Sequence, residues 1–375
     1  MRILMVSMNS IHFRRWTSQL KDAGHEVYWF DILGAGGNIK ELDWVSQKTD
    51  WRLRIQKGRY LLKKIPFLKK FIERDVAKSF ENYVVEIQPD IVHSFVLYMS
   101  CVPILNVMKK YTHIKWLYSA WGNDLYFYQH DPKYKKGIDL VLPHLDYMFA
   151  DCKRDLILAE KLGFKGKSLG DYPGGGGYHF DLIEEDIKPI SEREGILVKG
   201  YQGEKHRGLN VLKALEKMPE TPKITFFSTD HSLIRYYNSS ESLKKKDITF
   251  FTQKEGLNHK ELCRLMNRSL IYIGNNLSDG MPNTMLEAIC FGAFPIQSNP
   301  GGASAEIIDE GINGLLIENC EDIDEIAHKL EESLTNDQML QSAFENNMKI
   351  RTKLAYSFIR KQVLNQYDLI EKNNS

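Results

Sequence analysis

The chain has 375 residues, more than one hydrophobic core usually organises, so two domains are expected. Apolar residues at 43% and charged residues at 26% are ordinary for a globular, cytoplasm-like protein. The formal charge of +1 argues against nucleic acid as an obligatory partner.

The opening run RILMVS (2–7) reads as a strand. It is too short for a signal peptide, and no later stretch approaches the ~20 apolar residues of a spanning helix. Any membrane contact is therefore expected from outside the bilayer, by a cytoplasmic protein on its inner face. An amphipathic helix is expected from Arg14 to Ala23, ended by Gly24, with a second strand at 25–32. Gly34, Gly36 and Gly37 evoke a dinucleotide fingerprint, but Ile39 occupies the third glycine position and the run follows the second strand. A turn is the sufficient reading.

Residues 51–75 hold nine basic side chains, among them Arg52, Lys57, Lys64 and Lys70, interleaved with apolar Leu53, Tyr60, Ile65 and Phe71. Two readings stand: a peripheral patch on an anionic membrane, or a helix pair broken at Pro66 and packed on its domain. Beyond it, DIVHSF, KWLYSA and DYMFAD are short apolar runs between helical stretches. Such alternation implies a parallel sheet covered on both faces.

GDYPGGGGYHF (170–180) carries four consecutive glycines and reads as a mobile linker or irregular loop. The same grammar then restarts with GILVKGY, KITFFST, DITFFTQ, LIYIGNN, FPIQSN and GLLIE, and a helical tail covers about 337–372. Two α/β domains follow, 1–180 and 181–355, the first completed by a C-terminal helix over about 356–375. The cleft between them, at the carboxyl ends of the strands, is the expected ligand site. The five cysteines (Cys101, Cys152, Cys263, Cys290 and Cys320) form no CxxC pair. They read as core residues in a reducing compartment, with no zinc site.

The most informative stretch is SDGMPNTMLEAICFGAFPIQSNPGGASAEIIDEGINGLLIE (278–318). It reads strand, Gly/Pro turn, helix, strand, Gly-Gly turn and helix. A helix starting near Pro282 or Asn283 offers free N–H groups to an anion. Asp279 precedes that helix and Glu287 lies on it.

This stretch resembles the acidic-x7-acidic signature of the retaining GT-B-fold glycosyltransferases, the large family 4 (glycosyl transferases group 1) that includes sucrose synthase and many bacterial cell-surface enzymes. The first acid is Asp279 where Glu is usual. The resemblance implies two Rossmann-like domains facing across a cleft, a nucleotide-sugar donor and a glycan or lipid-linked acceptor. No cofactor and no metal are implied. Glu287 would accept from the ribose hydroxyls, and Asp279 would contact the transferred sugar. Gly280, Met281, Pro282 and Asn283 would border the sugar and pyrophosphate.

Cations from the second domain would offset leaving-group charge. In VKGYQGEKHRGLNVLKAL (198–215), Arg207 before Gly208 is the first choice, with Lys199 and Lys205 behind it and His206 also present. In the first domain, SAWGNDLYF (119–127) resembles the family's segment facing the donor sugar, with Trp121 where many relatives carry histidine. Asp124 reads either as a sugar or acceptor contact or as a helix N-cap. His93 reads as a cleft residue or a core histidine; His12 and Arg15 sit on a first loop that normally reaches the cleft. Alternatives are an epimerase or phosphorylase of the same fold and a catalytically silent scaffold.

Overall fold

A computed structural model describes residues 1–53, 72–254 and 256–374. The chain divides into two compact units, Met1–Gly176 with Arg360–Ser375, and Gly177–Ile359. Each is a parallel sheet with helices.

The first unit holds β1 (Arg2–Ser7), β2 (Glu26–Asp31), β3 (Ser46–Lys48), β4 (Ile91–Phe95), β5 (Lys115–Ala120), β6 (Tyr147–Ala150) and β7 (Lys167–Asp171). They lie in the order β3-β2-β1-β4-β5-β6-β7. Ile3, Leu4, Met5 and Val6 are all buried, as expected of a strand covered on both faces. The second unit holds β8 (Ile196–Lys199), β9 (Ile224–Thr229), β10 (Ile248–Thr252), β11 (Ile271–Gly274), β12 (Phe294–Ser298) and β13 (Leu315–Ile317). Their order is β10-β9-β8-β11-β12-β13. In both sheets the order reverses once, between β1 and β4 and between β8 and β11. Ligands of open α/β sheets bind outside the carboxyl ends of the strands at such a reversal.

Local chemistry moves some boundaries. The first helix spans Ile11–Ser18, not Arg14–Ala23, because Ser10 caps it by accepting from Phe13 N at 3.1 Å. Gly24, at φ +79°, serves a later turn. The helical tail is two helices, Asp337–Leu354 and Tyr356–Asn374, joined at Ala355. Two short edge strands, β3 and β7, had no clear apolar signature. Pro173 to Tyr178 are buried, so the tetraglycine is packed chain. A Cβ on Gly177 would come within 2.9 Å of Tyr356 Cα, which only glycine avoids.

The last helix belongs to the first unit through specific contacts. Tyr367 is fully buried, and its hydroxyl lies 2.7 Å from His93 Nδ1 and 3.3 Å from Trp16 Nε1. Arg360 donates to the carbonyls of Gln19 and Lys21, and the N-terminal amine pairs with Glu371 at 2.9 Å. The five cysteines are buried. Among the described residues, no helix is long and apolar enough to cross a membrane. Most of the basic segment 51–75 lies outside the described residues; at its ends, Arg52 pairs with Glu73 at 3.4 Å.

Candidate functional site

The residues singled out from the second domain gather where β8 and β11 end side by side. β8 pairs with β11 from Ile196↔Ile271 to Val198↔Ile273, so the loops leaving these strands start as neighbours. Backbone bonds then stitch them together: Arg207 N donates to Asn275 O at 2.9 Å and Leu277 N to Lys205 O at 2.9 Å. This brings the basic segment 199–207 alongside the loop carrying Asp279, at the chain reversal of the second sheet.

A polar chain crosses the junction. Asn276 Nδ2 donates to Asp279 Oδ2 at 2.9 Å, and Asn276 Oδ1 lies 2.8 Å from His206 Nδ1. A carboxylate only accepts, so the amide orientation is set and the His206 proton sits on Nδ1. Burial lowers the His206 pKa, and Lys199 lowers it further, against the opposing pull of Asn276 and Asp279. The ring is therefore neutral at neutral pH. Gly280 N donates to Asp279 Oδ1 at 3.0 Å, so both carboxylate oxygens have a fixed donor.

The three cations are placed differently. Lys199, the last residue of β8, is 8% exposed, with Nζ 5.2 Å from the Tyr201 ring centroid. Among the described residues it has no carboxylate within ion-pair distance. Arg207 is held elsewhere: Nε pairs with Glu321, and Nη1 donates to the carbonyls of Gly203 (2.8 Å), His206 (3.1 Å) and Glu204 (3.3 Å). Lys205 lies on the stitched loop, its carbonyl accepting from Leu277.

The helix after Asp279 spans Asn283–Cys290, with Pro282 at its N-cap and no side-chain cap bond. Met281 and Pro282 are buried beside its start, and Tyr178 Oη donates to Asn283 Oδ1 at 2.9 Å. Glu287 faces inward at 4% exposure, and its Oε1 lies 2.7 Å from His259 Nε2. Asn276 and His259 were not singled out from the sequence. The only signal near His259 is the N-x-x-E capping box at Asn258–Glu261, which marks a helix start and not a contact.

The first-unit residues gather at the carboxyl ends of β1, β4 and β5. His12 and Trp121 place their ring centroids 5.8 Å apart, and Trp121 packs on Phe95 at 4.7 Å. Arg15, on the same helix as His12, is half-buried. His93 is corrected from cleft candidate to core residue. Its ring is fully buried between Tyr367 Oη (2.7 Å) and Ser119 Oγ (2.8 Å), and burial holds its pKa well below the ordinary value. Asp124 is 3% exposed, and no helix starts directly after it. Its Oδ2 accepts from Leu97 N at 2.7 Å and from the Tyr118 hydroxyl. Burial pushes its carboxyl up to about 7 against those two bonds, and Asp155 adds to the rise. Asp124 thereby anchors the turn after Val96, a β-branched residue at φ +67°, a strained conformation that surrounding bonds must hold.

Asp151, Cys152 and Asp155 bring donor atoms within 4.8 Å of one another. Arg154 Nε lies 2.9 Å from Asp155 Oδ1 and Gly122 N donates to Asp151 at 2.8 Å. The guanidinium already supplies the positive charge this buried cluster needs.

Residues 184–351 match the family described as Glycosyl transferases group 1. A search of curated proteins returned no match. Among solved structures, the chain is similar to sucrose-phosphate synthase from Thermosynechococcus elongatus, at 15% identity, TM-score 0.76 and 99% coverage of both chains. It is also similar to a glycosyltransferase from Rickettsia africae ESF-5, at 18% identity, TM-score 0.72 and 99% coverage of both chains. A third is HepE of Anabaena in complex with UDP-glucose, at 12% identity and TM-score 0.71, covering 98% of this chain and 99% of that one. At these identities the structural likeness establishes the fold. The group 1 match over residues 184–351, together with the fold of both units, supports a glycosyltransferase of the GT-B fold.

Proposed function

We propose that the protein transfers a sugar, with retention at the anomeric carbon, from a nucleoside diphosphate donor to a glycan or lipid-linked acceptor in cell-surface polysaccharide or glycolipid synthesis. A uridine diphosphate sugar is the first donor to try. The observation that carries the reading is the stitched junction of the loop after β8 with 275–279, where Leu277 N donates to Lys205 O and Asn276 links His206 to Asp279 at the second sheet's reversal.

In this reading Glu287 accepts from the ribose hydroxyls. The pyrophosphate meets the helix start at Pro282–Asn283, where uncapped N–H groups and the helix dipole favour an anion. Gly280 and Met281 border the sugar, and Asp279 accepts from its hydroxyls. Lys199 and Lys205, with Arg207 next to them, offset the charge that grows on the departing diphosphate. The bond from the anomeric carbon to the phosphate oxygen breaks while the acceptor oxygen bonds on the same face. The acceptor's proton passes to the departing phosphate oxygen. Side-chain cations do the electrostatic work, so the step is proposed to need no metal.

The test is thermal stabilisation by UDP, GDP and ADP, with and without EDTA, since a ligand selective for the native state raises its stability. A shift from one nucleotide that survives EDTA and disappears in Glu287→Ala is expected. A shift lost with EDTA would overturn metal independence, and no shift at all would favour a silent, scaffold-type member of the fold.

A further inference from the structure

Glu287 is a nearly buried carboxylate, and such a group needs a donor. His259 meets it: Nε2 lies 2.7 Å from Glu287 Oε1, and because the carboxylate only accepts, Nε2 carries the proton. His259 is the first residue of the helix His259–Arg268. That helix start is pinned by a reciprocal capping box, with Glu261 N donating to Asn258 Oδ1 at 3.0 Å and Asn258 N donating to Glu261 Oε2 at 2.8 Å. One turn on, Cys263 Sγ stands 3.8 Å from the same Nε2. The imidazole keeps 39% of its side chain exposed, while the Glu287 side chain keeps 5%. The histidine is thus the more exposed partner of the pair, on a helix whose first turn is fixed by its cap.

We propose that His259 is the positioning residue for ribose recognition: its hydrogen bond to Oε1 locks the Glu287 side chain in the orientation that meets the vicinal ribose hydroxyls. This rests on the reading of Glu287 as the ribose acceptor. A glutamate has three side-chain torsions, and fixing them before the ligand arrives removes an ordering cost from binding. A supporting donor on a rigid element is the usual way such a group is held to productive geometry. His259 thus governs discrimination between a ribonucleotide and its deoxy form, and leaves phosphate recognition to the cations and the helix start at Asn283.

The experiment measures calorimetric affinities of the full chain for UDP, GDP and ADP and for their 2′,3′-dideoxy forms, in wild type, His259→Ala and His259→Gln. Wild type is expected to prefer one ribonucleotide over its dideoxy form. In His259→Ala that preference drops about tenfold, the weight of one charge-assisted hydrogen bond, while dideoxy affinity is unchanged and reports an intact fold. His259→Gln, whose amide can still donate, recovers most of the preference. A preference that persists in His259→Ala overturns the positioning role and leaves the ribose reading of Glu287 standing, and glutamine no better than alanine overturns its hydrogen-bond basis. Wild type that binds none of these nucleotides, or does not distinguish the two forms, overturns the ribose reading itself and the positioning role with it.

Discussion

Asn276 Nδ2 donates to Asp279 Oδ2 at 2.9 Å, while Asn276 Oδ1 lies 2.8 Å from His206 Nδ1. One buried amide thus ties the acid of the proposed sugar site to the basic loop opposite. Asn276→Ala removes the link without adding charge. We expect turnover of the donor identified by thermal shift to fall about tenfold, the scale of one charge-assisted hydrogen bond. Asn276→Asp sets a second carboxylate against Asp279 and is expected to fall further. Wild-type turnover in Asn276→Ala would mean that the His206–Asn276–Asp279 link plays no part in transfer.

Lys199 and Arg207 are separated by their partners. A lysine at 8% exposure with no carboxylate in reach among the described residues is poised for an anion, whereas the Arg207 guanidinium already engages Glu321 and three carbonyls. Lys199→Met keeps the apolar stem and is expected to weaken nucleoside diphosphate binding about thirtyfold or more. Arg207→Ala is expected to weaken binding less and to lower unfolding stability by about 1 kcal/mol, the scale for a partly exposed ion pair. Calorimetric titration beside urea unfolding separates the two effects. A larger affinity loss in Arg207→Ala would reverse the assignment.

Asp124 makes stability depend on pH in an unusual direction for an acid. Its carboxyl rises from 3.8 to about 7 on folding, chiefly through burial. The folded state therefore holds a proton that the unfolded state has lost, so this contribution is complete below about pH 4 and disappears as pH rises through 7. The full swing is about 4 kcal/mol at most, from roughly three pK units. Asp124→Asn keeps an acceptor for Leu97 N and the Tyr118 hydroxyl, both of which bond a single oxygen. Urea midpoints at pH 5 and pH 8.5 are expected to show the variant gaining on wild type as pH rises. A constant difference would mean that Asp124 is ionised in the folded state at both values.

The chain by itself determined what depends on neighbours in sequence. All-apolar runs between helices specify a parallel α/β architecture, because a strand covered on both faces needs no alternation. The turn at Asp279–Pro282 and the helix carrying Glu287 were likewise legible, since glycine, proline and the acids stand within a few residues of one another. Tertiary structure decided the rest. His206 meets Asn276 across 70 positions and His259 meets Glu287 across 28, contacts that exist only because strand order and helix packing bring those loops together. The same runs that announced β4 could not say which way His93 points, since every residue of that strand is buried. Nor could a basic loop show which cation is already paired: Arg207 finds Glu321 114 positions away, and Lys199 remains at the strand end because β8 stops there. Local chemistry sets elements and turns; the chain reversal between β8 and β11 brings their loops together.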